Sequence, residues 1–153
     1  MEKYHIYEEI GKGQYCQVFK GREKNQVEYV AIKKVAKTLT TKVENEVQAI
    51  HHLRSPNVIK FIDWYVSRNN LWVIVEYCTG GDLLNLIKQD TREPVSTVRL
   101  FGLDLVAGLQ AIHISGILHC DLKPSNILVD EYGILKISGF GLARRVKVGH
   151  FVR

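Results

Sequence analysis

Apolar residues in the first half of the chain form short runs rich in β-branched and aromatic side chains, a composition typical of β-strands. The predicted strands span residues 7–10, 17–20, 29–35, 58–65 and 71–77. One segment among them has a different period, because Val43, Val47 and Ile50 recur at helical spacing within residues 42–53. That spacing predicts an amphipathic helix with a single apolar stripe.

The second half of the chain is mostly helical in pattern. A short helix is predicted over residues 83–89, and a long helix over residues 96–113, where Phe101, Leu105 and Leu109 recur on one face. The predicted strands of a β-hairpin follow at residues 127–129 and 134–137. Strands with one helix, then helices with a hairpin, predict an α+β fold in two lobes.

The composition is that of an ordinary globular protein, with 46% hydrophobic and 24% charged residues among 153. The formal net charge of +5 comes from scattered Lys and Arg residues, so phosphate-bearing ligands suit it and we expect no nucleic-acid partner. Cys16, Cys78 and Cys120 are far apart and odd in number, which favours a reducing compartment. The start of the chain has no apolar signal core and residues 71–75 are too few to span a bilayer. We therefore expect a cytoplasmic protein without a membrane partner.

A polar loop between the long helix and the hairpin carries the strongest chemical signal. It places a carboxylate at Asp121, an ammonium at Lys123 and a carboxamide at Asn126 within six residues. Pro124 disfavours helix at the residue before it, so we expect these side chains to lie on a loop. Such a loop can supply a base, a phosphate-binding cation and a metal ligand to one reacting group.

Three weaker features lie in the predicted strands and the first helix. Gly11 and Gly13 lie between two strands, so they form either an ordinary turn or a loop whose backbone can approach phosphates. Lys33 follows apolar residues in a strand and either extends to solvent or meets an anion. Glu46 lies beside the apolar stripe of the helix and is either solvated or paired with Lys33. No one of these features decides between its two interpretations.

In their order along the chain, these motifs resemble the first half of a eukaryotic protein kinase domain. The matching motifs are Gly11-x-Gly13, Val30-Ala31-Ile32-Lys33, Glu46, the linker Glu76-Tyr77-Cys78 and His119-x-Asp121-x-Lys123-x-x-Asn126. The sequence from Lys123 to Asn126 favours the serine/threonine class, and residues 61–65 and 71–83 are most similar to the Unc-51-like and Fused-type kinases. The resemblance implies a complete N-lobe at residues 4–77, formed by an antiparallel sheet plus one helix. It also implies a partial helical C-lobe at 78–143 and a truncated activation segment at 144–153.

The resemblance further implies that the site binds ATP and magnesium. Lys33, positioned by Glu46, would hold the α- and β-phosphates. The backbone of residues 76–78 would bind adenine, and Val75 would guard the pocket behind it. The residues implied for nucleotide binding are Ile10, Gly11, Gly13, Val18, Ala31, Lys33, Glu46, Glu76 and Cys78. His119 would be a packed structural residue rather than a proton carrier, and the three cysteines small packing residues.

The catalytic roles that the resemblance implies fall on the polar loop. Asp121 would accept the proton of the substrate hydroxyl, Lys123 would neutralise charge on the transferred phosphoryl group, and Asn126 would ligate magnesium.

The chain departs from the kinase pattern at several positions. Gly139 stands where the family has the aspartate that is the principal magnesium ligand, which puts about two or more decades of rate at risk. Cys16 replaces the third glycine of the loop and would crowd the phosphates, and Cys120 replaces an arginine that could pair with an activation-loop phosphate. The later C-lobe helices of the family do not follow residue 143, so we expect the stripe containing Phe101 to face water.

We therefore expect a truncated serine/threonine protein kinase domain in which ATP-dependent phosphoryl transfer to protein hydroxyls is weak or absent. The alternative is a pseudokinase that binds nucleotide or a protein partner, such as a scaffold, without transferring phosphate. A third and weaker hypothesis is nucleic-acid binding through the basic tail at residues 144–153.

Overall fold

The computed structural model of the chain describes residues 2–13, 16–36, 38, 40–89 and 94–146. Its first part is a five-stranded antiparallel sheet with the strand order β1-β2-β3-β5-β4. The strands are β1 (Tyr4–Lys12), β2 (Cys16–Glu23), β3 (Tyr29–Ala36), β4 (Phe61–Val66) and β5 (Asn70–Glu76). All five predicted strands are present, although β4 begins three residues later than predicted.

Helix α1 (Thr40–Ile50) connects β3 to β4 and packs on one face of the sheet. The predicted stripe is buried: Val43 and Val47 contact Val35, Leu71 and Val73 from the sheet. The helix ends three residues earlier than predicted. Beyond it, the guanidinium of Arg54 donates hydrogen bonds to the backbone carbonyls of residues 51 and 53, which stabilises a non-helical turn.

The second part of the molecule contains the predicted helices and hairpin. Its elements are α2 (Leu83–Gln89), α3 (Val95–Ile114), β6 (Ile117–Leu118), β7 (Ile127–Val129), β8 (Leu135–Ile137) and β9 (Arg144–Arg145). The Asp82 carboxylate caps α2 by accepting a hydrogen bond from the backbone N–H of Asn85, at 2.8 Å. Strands β7 and β8 form the predicted hairpin, whereas the two-residue pairing of β6 with β9 was not predicted.

One face of α3 packs on the hairpin, and this corrects an expectation from the sequence. Phe101, Leu105 and Leu109 contact the main hydrophobic core, so the expectation that this stripe faces water is wrong. The Asp104 carboxylate also accepts a hydrogen bond from the backbone N–H of Leu135, at 3.0 Å, which ties α3 to β8. The large apolar side chains of α3 that are exposed are Val95, Val98, Leu100, Leu103, Val106 and Ile114.

The exposed face of α3 gives the helix a high overall hydropathy. With 20 residues and a mean hydropathy of 1.4, α3 is long and apolar enough to cross a membrane, a test that the core helix of a soluble protein also passes. One face of α3 packs on the hairpin, and the buried residues of this helix are Gly108 and Ile112.

The segment between α1 and β4 joins the two lobes. The backbone N–H of Ile137 donates to the Asn57 carbonyl at 2.9 Å, and that of Ile59 donates to the Ile137 carbonyl at 2.9 Å. The side-chain amide of Asn57 donates to the Leu135 carbonyl at 3.1 Å. Helix α3 approaches this joint closely because Gly108 has no side chain: a β-carbon there would lie 2.6 Å from the Asn57 carbonyl oxygen. Residues 58 and 59, predicted as part of a strand of the sheet, therefore pair with β8 instead, whereas Lys60 bonds to Glu76.

Candidate active site

A cavity of about 780 Å³ lies between the sheet and the second lobe. Every residue that the sequence implied for nucleotide binding lines this cavity. Lys123, Asn126 and Gly139 line it from the opposite side, together with Leu128 of β7. The fold thus brings the glycine loop, the linker after β5 and most of the polar loop to one space.

Lys33 and Glu46 form an ion pair inside this cavity. The Lys33 ammonium donates to the Glu46 carboxylate at 2.6 Å, and Glu46 is only 7% exposed. The pair forms because Val43 and Val47 pack on the sheet and turn Glu46 of the same helix toward β3. Of the two interpretations given for Lys33 and the two given for Glu46, the structure therefore supports the ion pair in both cases.

Gly11 and Gly13 lie in the β1–β2 hairpin, as predicted, with no helix after them. The backbone N–H of Gly13 donates to the Cys16 carbonyl at 2.8 Å. A β-carbon on Gly13 would lie 2.9 Å from the Cys16 sulfur, so the cysteine fills the space beside the loop. The loop residues 14 and 15 lie outside the described part of the chain.

The linker that follows β5 is anchored at both ends. At its start, the backbone N–H of Glu76 donates to the Lys60 carbonyl at 3.0 Å. At its end, the N–H of Gly80 donates to the Val129 carbonyl at 2.9 Å. The segment between them, residues 77–79, borders the cavity with its backbone held in place.

The three cysteines have different environments. Cys78 in the linker is buried, and burial, with a smaller contribution from the Glu76 charge, raises the pKa of its thiol to about 12. This thiol is neutral at physiological pH and serves as a packing residue, as predicted. Cys120 is exposed, so its predicted packing role is wrong. All three cysteines lie in the described part of the chain and are free thiols.

The polar loop brings Asp121, Lys123 and Asn126 together. Lys123 has an extended backbone, and Pro124 to Asn126 form a single 3₁₀ turn. The Lys123 ammonium lies 2.9 Å from the Asp121 carboxylate. The Asn126 side-chain amide donates to both the Asp121 carbonyl, at 2.8 Å, and the Asp121 carboxylate, at 2.9 Å. The hydrogen bond from Lys123 lowers the pKa of Asp121, partly opposed by burial, so this carboxylate is ionised at neutral pH.

His119 supports the loop from inside the core. It is 3% exposed, its ring edge packs on Phe140 with centroids 4.8 Å apart, and Nε2 lies 2.8 Å from the Ser138 carbonyl oxygen. The backbone N–H of Asp121 donates to His119 Nδ1 at 3.2 Å, which assigns the proton to Nε2. These contacts confirm that His119 is a packed residue.

Ser138 is a supporting residue that the sequence patterns did not single out. Its backbone N–H and its hydroxyl both donate to the Asn126 carbonyl, at 2.8 and 2.9 Å. Its position directly before Gly139 is the one sequence signal that could have indicated this role.

Gly139 lies across the cavity from the linker and offers no carboxylate. Its backbone is in the left-handed region, with φ 80° and ψ 46°, and a β-carbon there would lie 2.4 Å from Asn126 Cγ. The Asn126 amide nitrogen is bound to Asp121, so the oxygen that Asn126 could offer to a metal at this place is Oδ1. Within the described ranges, no group of three or more His, Cys, Asp or Glu side chains could hold a metal ion. The residues present do not fit magnesium in the way the kinase pattern requires.

Taken with the five-stranded sheet, the Lys33–Glu46 pair and the polar loop facing it across the cavity define the class of protein as a protein kinase domain. The sequence model of that family, described as "Protein kinase domain", matches residues 4–152. The chain therefore belongs to the protein kinase family.

Similar proteins place the chain more closely within this family. It is 48% identical over 146 residues to "Serine/threonine-protein kinase RUNKEL" of Arabidopsis thaliana, covering 95% of this chain and 11% of that protein. It is 44% identical over 144 residues to "Serine/threonine-protein kinase ULK4" of Mus musculus, covering 94% and 11%. It is 36% identical over 152 residues to "Serine/threonine-protein kinase ATG1b" of Arabidopsis thaliana, covering 94% and 21%. These relatives confirm the serine/threonine class and the Unc-51-like grouping. The chain spans between about a tenth and a fifth of the length of these proteins.

Proposed function

We propose that this chain is an ATP-binding domain in which phosphoryl transfer to serine or threonine hydroxyls of a protein is weak or absent. The observation that carries the proposal is that Gly139 offers no carboxylate to a cavity lined by Lys33, Glu46, Lys123 and Asn126.

The cavity suits a nucleotide in size and in the chemistry of its walls. Ligand sites commonly enclose 300 to about 1,000 Å³ and are mostly apolar with a few placed polar groups. Val18, Ala31 and Leu128 supply apolar surface for a base, beside the backbone of the linker. Lys33, held by Glu46, supplies a cation for the α- and β-phosphates.

The polar loop supports the assignment of roles for any residual transfer. Asp121 is ionised and able to accept a hydrogen bond from a substrate hydroxyl. Lys123 is half exposed beside it and can approach a phosphoryl group. When magnesium is bound in kinases, it neutralises charge that develops on the phosphates. Because the residues here do not fit it, we assign no step to it and expect a slow reaction.

The direct experiment measures phosphoryl transfer from radiolabelled ATP to a generic protein substrate, with Mg²⁺ present and with excess EDTA. We expect a rate at least about a hundredfold below that of an intact kinase, from the lost metal stabilisation. The Asp121→Asn variant is the matched control, since it keeps the size of the side chain and removes its charge. A rate like that of an intact kinase, abolished in the control, would refute the proposed inactivity.

A binding experiment tests the nucleotide site itself and, together with the transfer assay, distinguishes a weak kinase from the pseudokinase alternative, in which the chain acts through a partner. Calorimetry with ATP is performed with and without magnesium. Binding of similar affinity under both conditions, together with no transfer, supports a nucleotide-binding pseudokinase that uses Lys33 and Glu46. Absence of binding under both conditions overturns the nucleotide site and leaves a protein-binding module, whose partner would be a scaffold rather than a substrate.

A further inference from the structure

Lys136 on β8 makes three polar contacts, and the roles proposed above for nucleotide binding and phosphoryl transfer do not include this residue. Its ammonium lies 3.2 Å from the Glu76 carboxylate and 3.8 Å from the Asp130 carboxylate, and it donates to the Pro56 carbonyl at 3.1 Å. The side chains of Lys136, Glu76 and Asp130 are 12%, 24% and 9% exposed. A lysine buried to this degree and held by three partners has a fixed position.

Through the contact with its carboxylate, Lys136 helps to hold Glu76, the first linker residue, in place. One carboxylate oxygen of Glu76 accepts the backbone N–H of Lys60 at 2.7 Å, and the other faces Lys136. The Glu76 backbone N–H is bound to the Lys60 carbonyl as well. Glu76 is therefore tied to Lys60, the residue before β4, by its backbone and one carboxylate oxygen, and Lys136 ties it to β8.

Lys136 is also paired, in the β7–β8 hairpin, with a residue of the opposite wall of the cavity. In the β7–β8 hairpin it lies directly across from Leu128, whose side chain lines that wall. The far end of the linker is bound to the same strand, because Gly80 and Gly81 exchange backbone hydrogen bonds with Val129. One side chain thus connects the wall that carries Glu76 to the wall that carries Leu128.

We propose that Lys136 is a positioning residue for the base of a bound nucleotide, because it sets the separation between the linker backbone at Glu76 and the apolar surface of Leu128. The inference rests on the proposed nucleotide-binding function and adds a residue that does not touch the ligand. A planar base has to contact the apolar surface and form hydrogen bonds with the linker at the same time, so the two must lie at a fixed spacing. If the linker is displaced, the base can keep its apolar contact or its hydrogen bonds, but not both. Without the ammonium, the Glu76 carboxylate loses its charged partner in a partly buried place and turns toward water.

The test is Lys136→Met in the 153-residue chain, with affinities for adenosine and for ATP measured by calorimetry. We expect both affinities to fall by the same factor, about three- to tenfold, because the effect acts on the base. Lys33→Met provides the contrast, since it should weaken ATP and leave adenosine unchanged. Lys34→Met is the matched control: Lys34 lies on β3 next to Lys33 with its ammonium 5.6 Å from the Trp72 ring, away from the linker.

A double-mutant cycle with Glu76→Gln identifies the route of the effect. If Lys136 acts through Glu76, the double variant loses no more adenosine affinity than Lys136→Met alone. A purely structural role would lower the melting temperature of the unliganded protein and leave the adenosine affinity of the folded protein unchanged, which would overturn the proposal. Hydrogen exchange of residues 77–79 gives a second measurement, with faster exchange expected in Lys136→Met and not in Lys34→Met.

The outcomes distinguish this inference from the proposed function. If the wild-type chain binds neither adenosine nor ATP, the nucleotide site itself is wrong. If the wild type binds both and Lys136→Met binds both equally well, nucleotide binding stands and the positioning role is wrong.

Discussion

The side chain of Asn126 occupies the space that a β-carbon on Gly139 would need, since that carbon would lie 2.4 Å from both Cγ and Oδ1 of the amide. The glycine at the aspartate position of the kinase motif therefore has two effects: a carboxylate is absent, and the Asn126 side chain fills the space next to it. The Asn126 side-chain amide fills this space, while the backbone carbonyl of Asn126 accepts hydrogen bonds from Ser138. Position 139 therefore offers no carboxylate, and the neighbouring space is filled by the Asn126 amide.

A first prediction concerns Gly139→Ala. The backbone φ of 80° costs an alanine about 1–2 kcal/mol, and displacement of Asn126 adds roughly 1–3 kcal/mol. We expect the free energy of unfolding, measured in urea, to fall by the sum of these terms. Gly133→Ala is the matched control, because Gly133 has a φ of 77° with no atom within 4 Å of the added carbon. Equal losses in the two variants would show that Asn126 moves away freely.

Two glycines of α3 give a second prediction with opposite signs. Gly108→Ala should lower the free energy of unfolding by about 1–3 kcal/mol, because the new methyl group would meet the Asn57 carbonyl and Ile137. Gly102→Ala, in the same helix with open space around it, should raise the free energy by up to about 1 kcal/mol through helix propensity. Thermal and chemical denaturation of both variants provide the check. A loss in both would mean that α3 is covered at Gly102 as well.

A third prediction concerns the charge of Asp121. Its folded-state pKa is below the ordinary value of 3.8, chiefly because of Lys123, so this carboxylate stabilises the fold above the ordinary pKa. That contribution is lost as the pH falls through the lower, folded-state pKa. We expect Lys123→Met to raise the pKa of Asp121 and to reduce stability at pH 7 by under about 1 kcal/mol, since Lys123 is half exposed.

The pH dependence checks the sign of that effect. The stability difference between wild type and Lys123→Met should vanish at acid pH, where Asp121 is protonated in both proteins. A carbon-detected NMR titration of the Asp121 carboxyl measures the pKa directly. A difference in stability that persists unchanged at acid pH would indicate that Lys123 acts through packing rather than charge.

A fourth prediction orders the thiols by reactivity. Cys120 is exposed and should react first with iodoacetamide at mildly alkaline pH. Cys78 is buried, and the raised pKa of its thiol, about 12, keeps it protonated, so it should react last. Mass spectrometry of timed aliquots provides the measurement. Early modification of Cys78 in the folded protein would contradict the anchored linker described above.

The sequence allowed much of the site to be predicted because its residues belong to short, ordered motifs. Asp121, Lys123 and Asn126 lie within six residues, so their proximity follows from the chain itself. Lys33 and Glu46 are 13 residues apart, and each alone was ambiguous. The residues alone left their pairing open, the resemblance to the family implied it, and the packing of α1 on the sheet produces it.

The stripe of α3 that contains Phe101, Leu105 and Leu109 was identified correctly, but the prediction that it faces water was wrong. That prediction assumed that only the later C-lobe helices of the kinase family cover this stripe, whereas it packs against residues of the β7–β8 hairpin. Asp104 adds to this packing through its hydrogen bond to β8.

Two other features of the structure could not be predicted from patterns in the sequence. Strands β6 and β9 have two residues each, too few to produce a periodic signal. Glu76 and Lys136 are separated by 60 residues and meet only because the β7–β8 hairpin lies beneath the linker. Contacts of this kind depend on tertiary packing rather than on local spacing.

The position of Asn57 has a consequence for how the molecule melts. This single residue bonds to β8 through its carbonyl and its side chain, and its carbonyl also abuts Gly108 of α3. The sheet with α1 therefore cannot separate from the second lobe without breaking the hydrogen bonds that the Asn57 carbonyl and side chain make to β8. The two lobes share a cooperative unit, and calorimetry should record one unfolding transition rather than two.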